Sequence, residues 1–134
     1  MCGQKGLAER FDSSIGAATV LMPFAGRYQM TPEEGMAAKI PTAGETDDAT
    51  AMAYGFIPGI SKWSPFHGAA WAVTESLSRL CAMGANPLKA RLTFQEYFER
   101  MTEDPKRWGK PTAALLGALL SWAWGYRQSA AKTA

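Results

Sequence analysis

Apolar and polar positions along the chain change period in a way that separates a strand-rich first half from a helix-rich second half. Residues Ala17 to Phe24 are β-branched and apolar and follow the turn-like Asp12-Ser13-Ser14 and Gly16, which predicts a strand ended by Pro23. A second strand is predicted over Gly35 to Ile40, and the alternation of Ala49 to Phe56 predicts a third, closed by Pro58-Gly59. Between the first two, Thr31-Pro32-Glu33-Glu34 has the form of a helix N-cap with proline at the first position, enough for a single turn. Gly44 to Asp48 is polar loop material.

The period then lengthens. Phe66, Ala70, Val73, Leu77, Leu80 and Cys81 recur at steps of three and four, predicting a helix from Pro65 to Met83 that Gly84 and Asn86-Pro87 stop. A fourth strand over Ala90 to Phe94, a short helix from Tyr97 to Met101, a turn at Asp104-Pro105 and a last helix from Pro111 complete the chain. The order predicts an α+β fold, a mostly antiparallel sheet with helices on one face. No repeat or low-complexity linker divides it, so one core is expected.

Composition narrows the function classes. The chain has 134 residues, 47% of them hydrophobic, 19% charged, and a formal net charge of +2. The basic residues are scattered, which argues against a nucleic-acid or anionic-membrane surface. Cys2 and Cys81 suit reduced thiols in the cytoplasm better than a disulfide framework. No leader pattern and no run of about eighteen apolar residues occurs, and Ala113 to Trp124 is too short to span a bilayer, so no membrane association is expected.

Candidate chemistry rests on acids. Asp12, the Asp47-Asp48 pair and Glu75 sit where a strand or helix end can present a carboxylate to a hard cation such as magnesium. Glu75 lies about two hundred degrees around the helix from Val73, pointing away from the apolar stripe. The plainer alternative is a solvated loop pair and an ordinary surface pair of Glu75 with Arg79. His67, the one histidine, has no partners for a zinc site or hydrolytic triad and fits a core or capping role. The glycines form no phosphate loop, and the tryptophans and methionines fit packing.

Longer strings are more specific. Glu9-Arg10-Phe11-Asp12-Ser13-Ser14-Ile15-Gly16, Thr31 to Pro41, Gly44-Glu45-Thr46-Asp47, Ser61-Lys62-Trp63-Ser64-Pro65-Phe66-His67-Gly68-Ala69-Ala70, Lys89 to Arg100 and Trp108-Gly109-Lys110-Pro111 together resemble the long single-chain phosphoribosylformylglycinamidine synthase family. The resemblance covers almost everything to about Ala118 and falls at the start of the second synthetase half, an AIR-synthase-like N-terminal domain over 1–118. It implies a ligase that uses ATP and glutamine-derived ammonia to convert formylglycinamide ribonucleotide to formylglycinamidine ribonucleotide in purine biosynthesis. It also implies strands that build a barrel with a partner half, with nucleotide sites at the seam, or a homodimer through the sheet. By the same resemblance Asp47 and Glu75 match magnesium ligands, Thr46 adjoins the nucleotide, and Arg79, where the family has asparagine, contacts phosphate. Lys39 and Arg27 are candidate substrate cations. The glutaminase domain and the other half lie outside the chain, so the isolated piece is expected to be inactive.

The resemblance stops after Ala118, and residues 119–134 form an apolar stretch followed by a basic, small-residue tail. Back-translation with permitted synonymous codons and a shifted frame yields a string ending Gly-Gly-Lys-Asp-Ser, similar to the family's continuation, which suggests an out-of-frame tail. Two other identities compete with the ligase fragment: a non-catalytic module that uses its sheet to dimerise, and a truncated reading frame without a role.

Overall fold

A computed structural model describes residues 3, 5–11, 15, 18–119, 123, 125 and 127–133. The elements in chain order are α1 (Lys5–Phe11), β1 (Thr19–Leu21), β2 (Phe24–Ala25), β3 (Thr31–Pro32), β4 (Gly35–Lys39), β5 (Ala49–Ala53), α2 (Pro58–Trp63), α3 (Pro65–Ala82), a 3-10 turn (Pro87–Lys89), β6 (Arg91–Glu96), α4 (Pro105–Ala118) and β7 (Arg127–Thr133). The fold is α+β. Its sheet is antiparallel in the order β1-β4-β5, beside a β2-β3 hairpin, while β6 and β7 pair in parallel.

The first predicted strand divides at Pro23 into β1 and β2, and Ala17 lies outside the described residues. The single helical turn expected at Thr31 is instead strand. Gly26 at φ 78° and Gln29 at φ 50° turn the chain back, Gln29 N–H donates to Gly26 O, and Glu33 N–H donates to Pro23 O, so Thr31 and Pro32 pair with Ala25 and Phe24. Positive φ at two of four turn residues closes a hairpin, which outweighs the local capping pattern.

α3 forms largely as its pattern predicts. Ser64 caps it by accepting from His67 N–H, with Pro65 at the first position, and Gly84 at φ 85° ends it while Ala85 N–H reaches back to Leu80 O. α4 begins earlier than expected. Asp104 accepts from Lys106 N–H at 3.0 Å and Pro105 occupies the first turn, so the Asp-Pro step is a helix start and Pro111 sits inside the helix. No helix forms between Tyr97 and Met101, where Trp108 Nε1–H donates to Thr102 O and Arg107 donates to Arg100 O instead. α1 and α2 were not legible in the periodicity, being seven and six residues long.

α3 is the centre of the packing. Val73 and Leu77 are buried against Leu92 of β6, with Leu80, Ala90 and Phe94 around them. Ala114, Gly117 and Ala118 put the small face of α4 on α3, where a side chain at Gly117 would collide with the Phe66 carbonyl. Small residues allow that short interaxial distance. A second face of α3 meets the sheet: a Cβ on Gly55 would lie 2.8 Å from the Ala72 carbonyl carbon and 2.9 Å from Ser76 N.

Cross-strand register then defines the two faces of the sheet. Gly35↔Ala53 and Ala37↔Ala51 turn toward α3, whereas Met36↔Met52 and Ala38↔Thr50 turn away from it. The far face carries Met52; it and, beyond the strand end, Tyr54 and Phe56 are each about three-fifths exposed. Val20, at the β1 irregularity, is exposed as well.

Candidate functional site

The side chains with most polar contacts gather where β5 ends and α3 passes over it. Arg79 reaches from α3 with only 17% of its side chain exposed. Its Nη1 donates to Tyr54 O at 2.7 Å, Nη2 lies 3.0 Å from Glu75 Oε1, and Nε donates to Glu34 Oε2 at 3.1 Å. The guanidinium also stacks 4.5 Å from the centre of the Tyr54 ring. Glu75, 26% exposed, uses its other oxygen to accept from Phe56 N–H at 2.8 Å. Three segments are tied together here: the start of β4, the end of β5 and one turn of α3.

This corrects the expectation that Glu75 points outward. A single apolar stripe would leave it in water, but α3 is covered on two sides, and Ala72, Glu75, Ser76 and Arg79 share the side that meets the sheet. The Glu75–Arg79 pair therefore exists, as the i,i+4 spacing suggests, but in a half-buried setting with backbone partners.

Thr46 and Asp47 lie elsewhere. They precede β5, and antiparallel pairing places Lys39↔Ala49 at that end and Gly35↔Ala53 at the other. Asp47 is fully exposed, with Lys39 Nζ at 3.9 Å, and Thr46 Oγ1 accepts from Asp48 N–H at 3.1 Å in a local turn. The strand between the two ends alone spans roughly 13 Å. The fold brings Glu75 and Arg79 together and keeps Thr46 and Asp47 apart from them.

Magnesium needs several oxygen ligands at about 2.1 Å. Both oxygens of Glu75 already serve Phe56 N–H and Arg79, and Asp47 stands at the far strand end, so the two do not fit one magnesium shell within this chain. Among the described residues, no group of three or more His, Cys, Asp or Glu side chains is placed to hold a metal ion. Arg79 has its three kinds of nitrogen committed to protein oxygens, which leaves it poorly disposed to a phosphate.

The remaining candidates are placed simply. His67 is exposed and caps α3 with Ser64, whose Oγ lies 2.8 Å from Nδ1, while Trp63 and Phe66 flank its ring. Cys81, expected on the apolar stripe, is a free and exposed thiol. Asp12 and Cys2 lie outside the described residues. Arg27 stacks on Tyr28. At α4, Glu99 meets Lys110 and Arg107, which hold its carboxyl below the usual range, whereas partial burial pushes the Glu96 carboxyl up. No described helix is long and apolar enough to cross a membrane.

Neither a protein-family model, nor a curated protein, nor a solved structure matches the chain. Sequence reasoning missed Glu34 as a partner of Arg79. The signal was present in the pairing of β4 with β5, which sets Glu34 beside Tyr54, but only the long-range register reveals it.

Proposed function

We propose that the chain is a piece of the ATP- and glutamine-dependent synthase that makes formylglycinamidine ribonucleotide, supplying sheet and seam to a second half and inactive alone. The long strings described above, above all Ser61 to Ala70 and Lys89 to Arg100, support this reading by their resemblance to that family. The observation that carries the partner requirement is the apolar surface at and beyond the end of β5, where Met52, Tyr54 and Phe56 are each about three-fifths exposed, Tyr54 with its ring against Arg79. A sheet covered on one side only leaves apolar surface that favours association.

Within that proposal ATP and magnesium belong to the assembled enzyme. The Thr46-Asp47 loop is the part of this chain free to meet a magnesium nucleotide, while Glu75 and Arg79 hold the frame. The non-catalytic dimerising module remains the competing function, favoured by the engagement of both Glu75 oxygens within the protein.

Sedimentation distinguishes the two. A synthase piece forms a heterocomplex with the remaining parts of the enzyme, and Met52→Glu, which places a charge in the open face, abolishes it. A homodimer that ignores those parts would favour the module, and a monomer in both mixtures would defeat both proposals.

A further inference from the structure

One guanidinium gathers oxygens from three segments of the chain, which is the work a bound metal ion does in other folds. Arg79 Nε donates to Glu34 Oε2 at 3.1 Å, Nη1 donates to Tyr54 O at 2.7 Å, and Nη2 lies 3.0 Å from Glu75 Oε1. Two carboxylates and a carbonyl therefore surround one point, each roughly 4 Å from the guanidinium carbon once a C–N bond is added to the hydrogen bond. Oxygen sets of this kind hold hard divalent cations, directly after a small carboxylate rotation or through waters the cation retains. The charges point the same way. Glu34 and Glu75 bring two negative charges, and Arg79 is their only basic partner among the described residues. With 26% of its side chain exposed, Glu75 is only partly solvated, so loss of Arg79 would leave a half-buried carboxylate without a counter-ion.

We infer that Arg79 is a built-in substitute for a divalent cation, closing to metal an oxygen site that would otherwise take one. Magnesium at Glu75, which the family resemblance implies, is displaced in advance by the chain's own side chain. The guanidinium stays charged across the whole range in which proteins fold and cannot diffuse away, so the joint of β4, β5 and α3 needs no metal supply. Its planar fork meets three acceptors at once, whereas a hydrated cation has to shed or order waters to do the same. Glu75 Oε2 accepts from Phe56 N–H whatever occupies the site, which keeps the other oxygen aimed at the position of the cation. The inference rests on this geometry and does not depend on the synthase identity.

The experiment uses the full chain and manganese(II), which takes the same oxygen ligands as magnesium and whose free form is counted by electron paramagnetic resonance. Arg79→Ala is expected to bind one manganese ion more than the parent does, and to regain several degrees of Tm when the metal is in about tenfold excess over its Kd. Adding Glu75→Gln to Arg79→Ala is expected to remove both effects. Manganese bound by the parent and lost with Glu75→Gln alone would overturn the inference, because Arg79 would then leave the site open. So would folded Arg79→Ala with no added site, or with one that Glu75→Gln leaves intact. Should Arg79→Ala not fold without metal, manganese is expected to restore its far-UV circular dichroism after dilution from urea, and a chelator to abolish it again. Failure to refold in manganese overturns the inference.

Discussion

Replacing Arg79 by methionine keeps most of the apolar stem and removes the guanidinium, so its cost measures how firmly α3 is held to the end of the sheet. The bond from the charged group to Tyr54 O is worth about 1.5 kcal/mol. The half-buried pair with Glu75 adds about 1 kcal/mol, and stacking on Tyr54 about 0.5 kcal/mol. The Glu34 carboxylate is 63% exposed, so its pair contributes no more than about 0.5 kcal/mol. These terms share one side chain and are not additive, which gives an expected loss of about 2–3 kcal/mol. With an m value of about 1.5 kcal/mol/M, urea unfolding followed by far-UV circular dichroism should shift its midpoint down by roughly 1–2 M. Arg79→Lys is expected to recover less than half of the loss, because one ammonium cannot meet three acceptors in the plane of a fork. A double-mutant cycle with Glu75→Gln should return a coupling of about 1 kcal/mol. A midpoint for Arg79→Met within experimental error of the parent would show that the cluster does not join helix to sheet.

Other perturbations test separate parts of the packing. Gly55→Ala forces a methyl group into the α3 backbone and is expected to cost about 2–3 kcal/mol in the same urea assay; parental stability would mean that β5 and α3 are not this close. Leu92→Ala, which empties the contact with Val73 and Leu77, should cost about 2–4 kcal/mol, against less than about 0.5 kcal/mol for the exposed Leu88→Ala. Glu96 and Glu99 give opposite pH dependences. The raised Glu96 carboxyl contributes stability that is present below its unfolded value and lost as pH rises through its higher folded value. The lowered Glu99 contributes stability present above its unfolded value and lost as pH falls. Glu96→Gln should therefore raise Tm at neutral pH but not below the carboxylate range, and Glu99→Gln should lower it at neutral pH only; Tm profiles of the opposite sign would refute these assignments.

Much of the fold could be read where one physical signal dominated. The stripe from Phe66 through Leu80, with a glycine after it, located α3 almost to the residue, and the Ser64 cap appears only in the structure. Alternation located β5, although the strand ends at Ala53 and not at Phe56, and Ala-rich small residues in β4 and β5 are what let the helix settle on them. Local signals failed where long-range pairing or a second covering layer took over. Thr31-Pro32-Glu33-Glu34 has a helix-start pattern, but Gly26 and Gln29 close a hairpin around it. Asp104-Pro105 resembles a turn until the helix it caps is seen to run through Pro111. Glu75 was assigned to solvent because one stripe on a helix implies one buried face, and α3 has two. The candidate metal ligands were separated by a single fact that spacing along the chain does not carry: residues just before a strand and residues just after it stand at opposite ends.

The most direct test of the synthase proposal is a calorimetric titration of magnesium ATP into the chain alone, into the remaining parts of the enzyme alone, and into their mixture. Asp47→Ala is the informative variant, since Glu75→Ala would also loosen Phe56 and Arg79. The chain alone should give no saturable heat, and the mixture should show one nucleotide site more than the remaining parts do, weakened by Asp47→Ala. A mixture that binds no more nucleotide than the remaining parts by themselves would contradict the proposal.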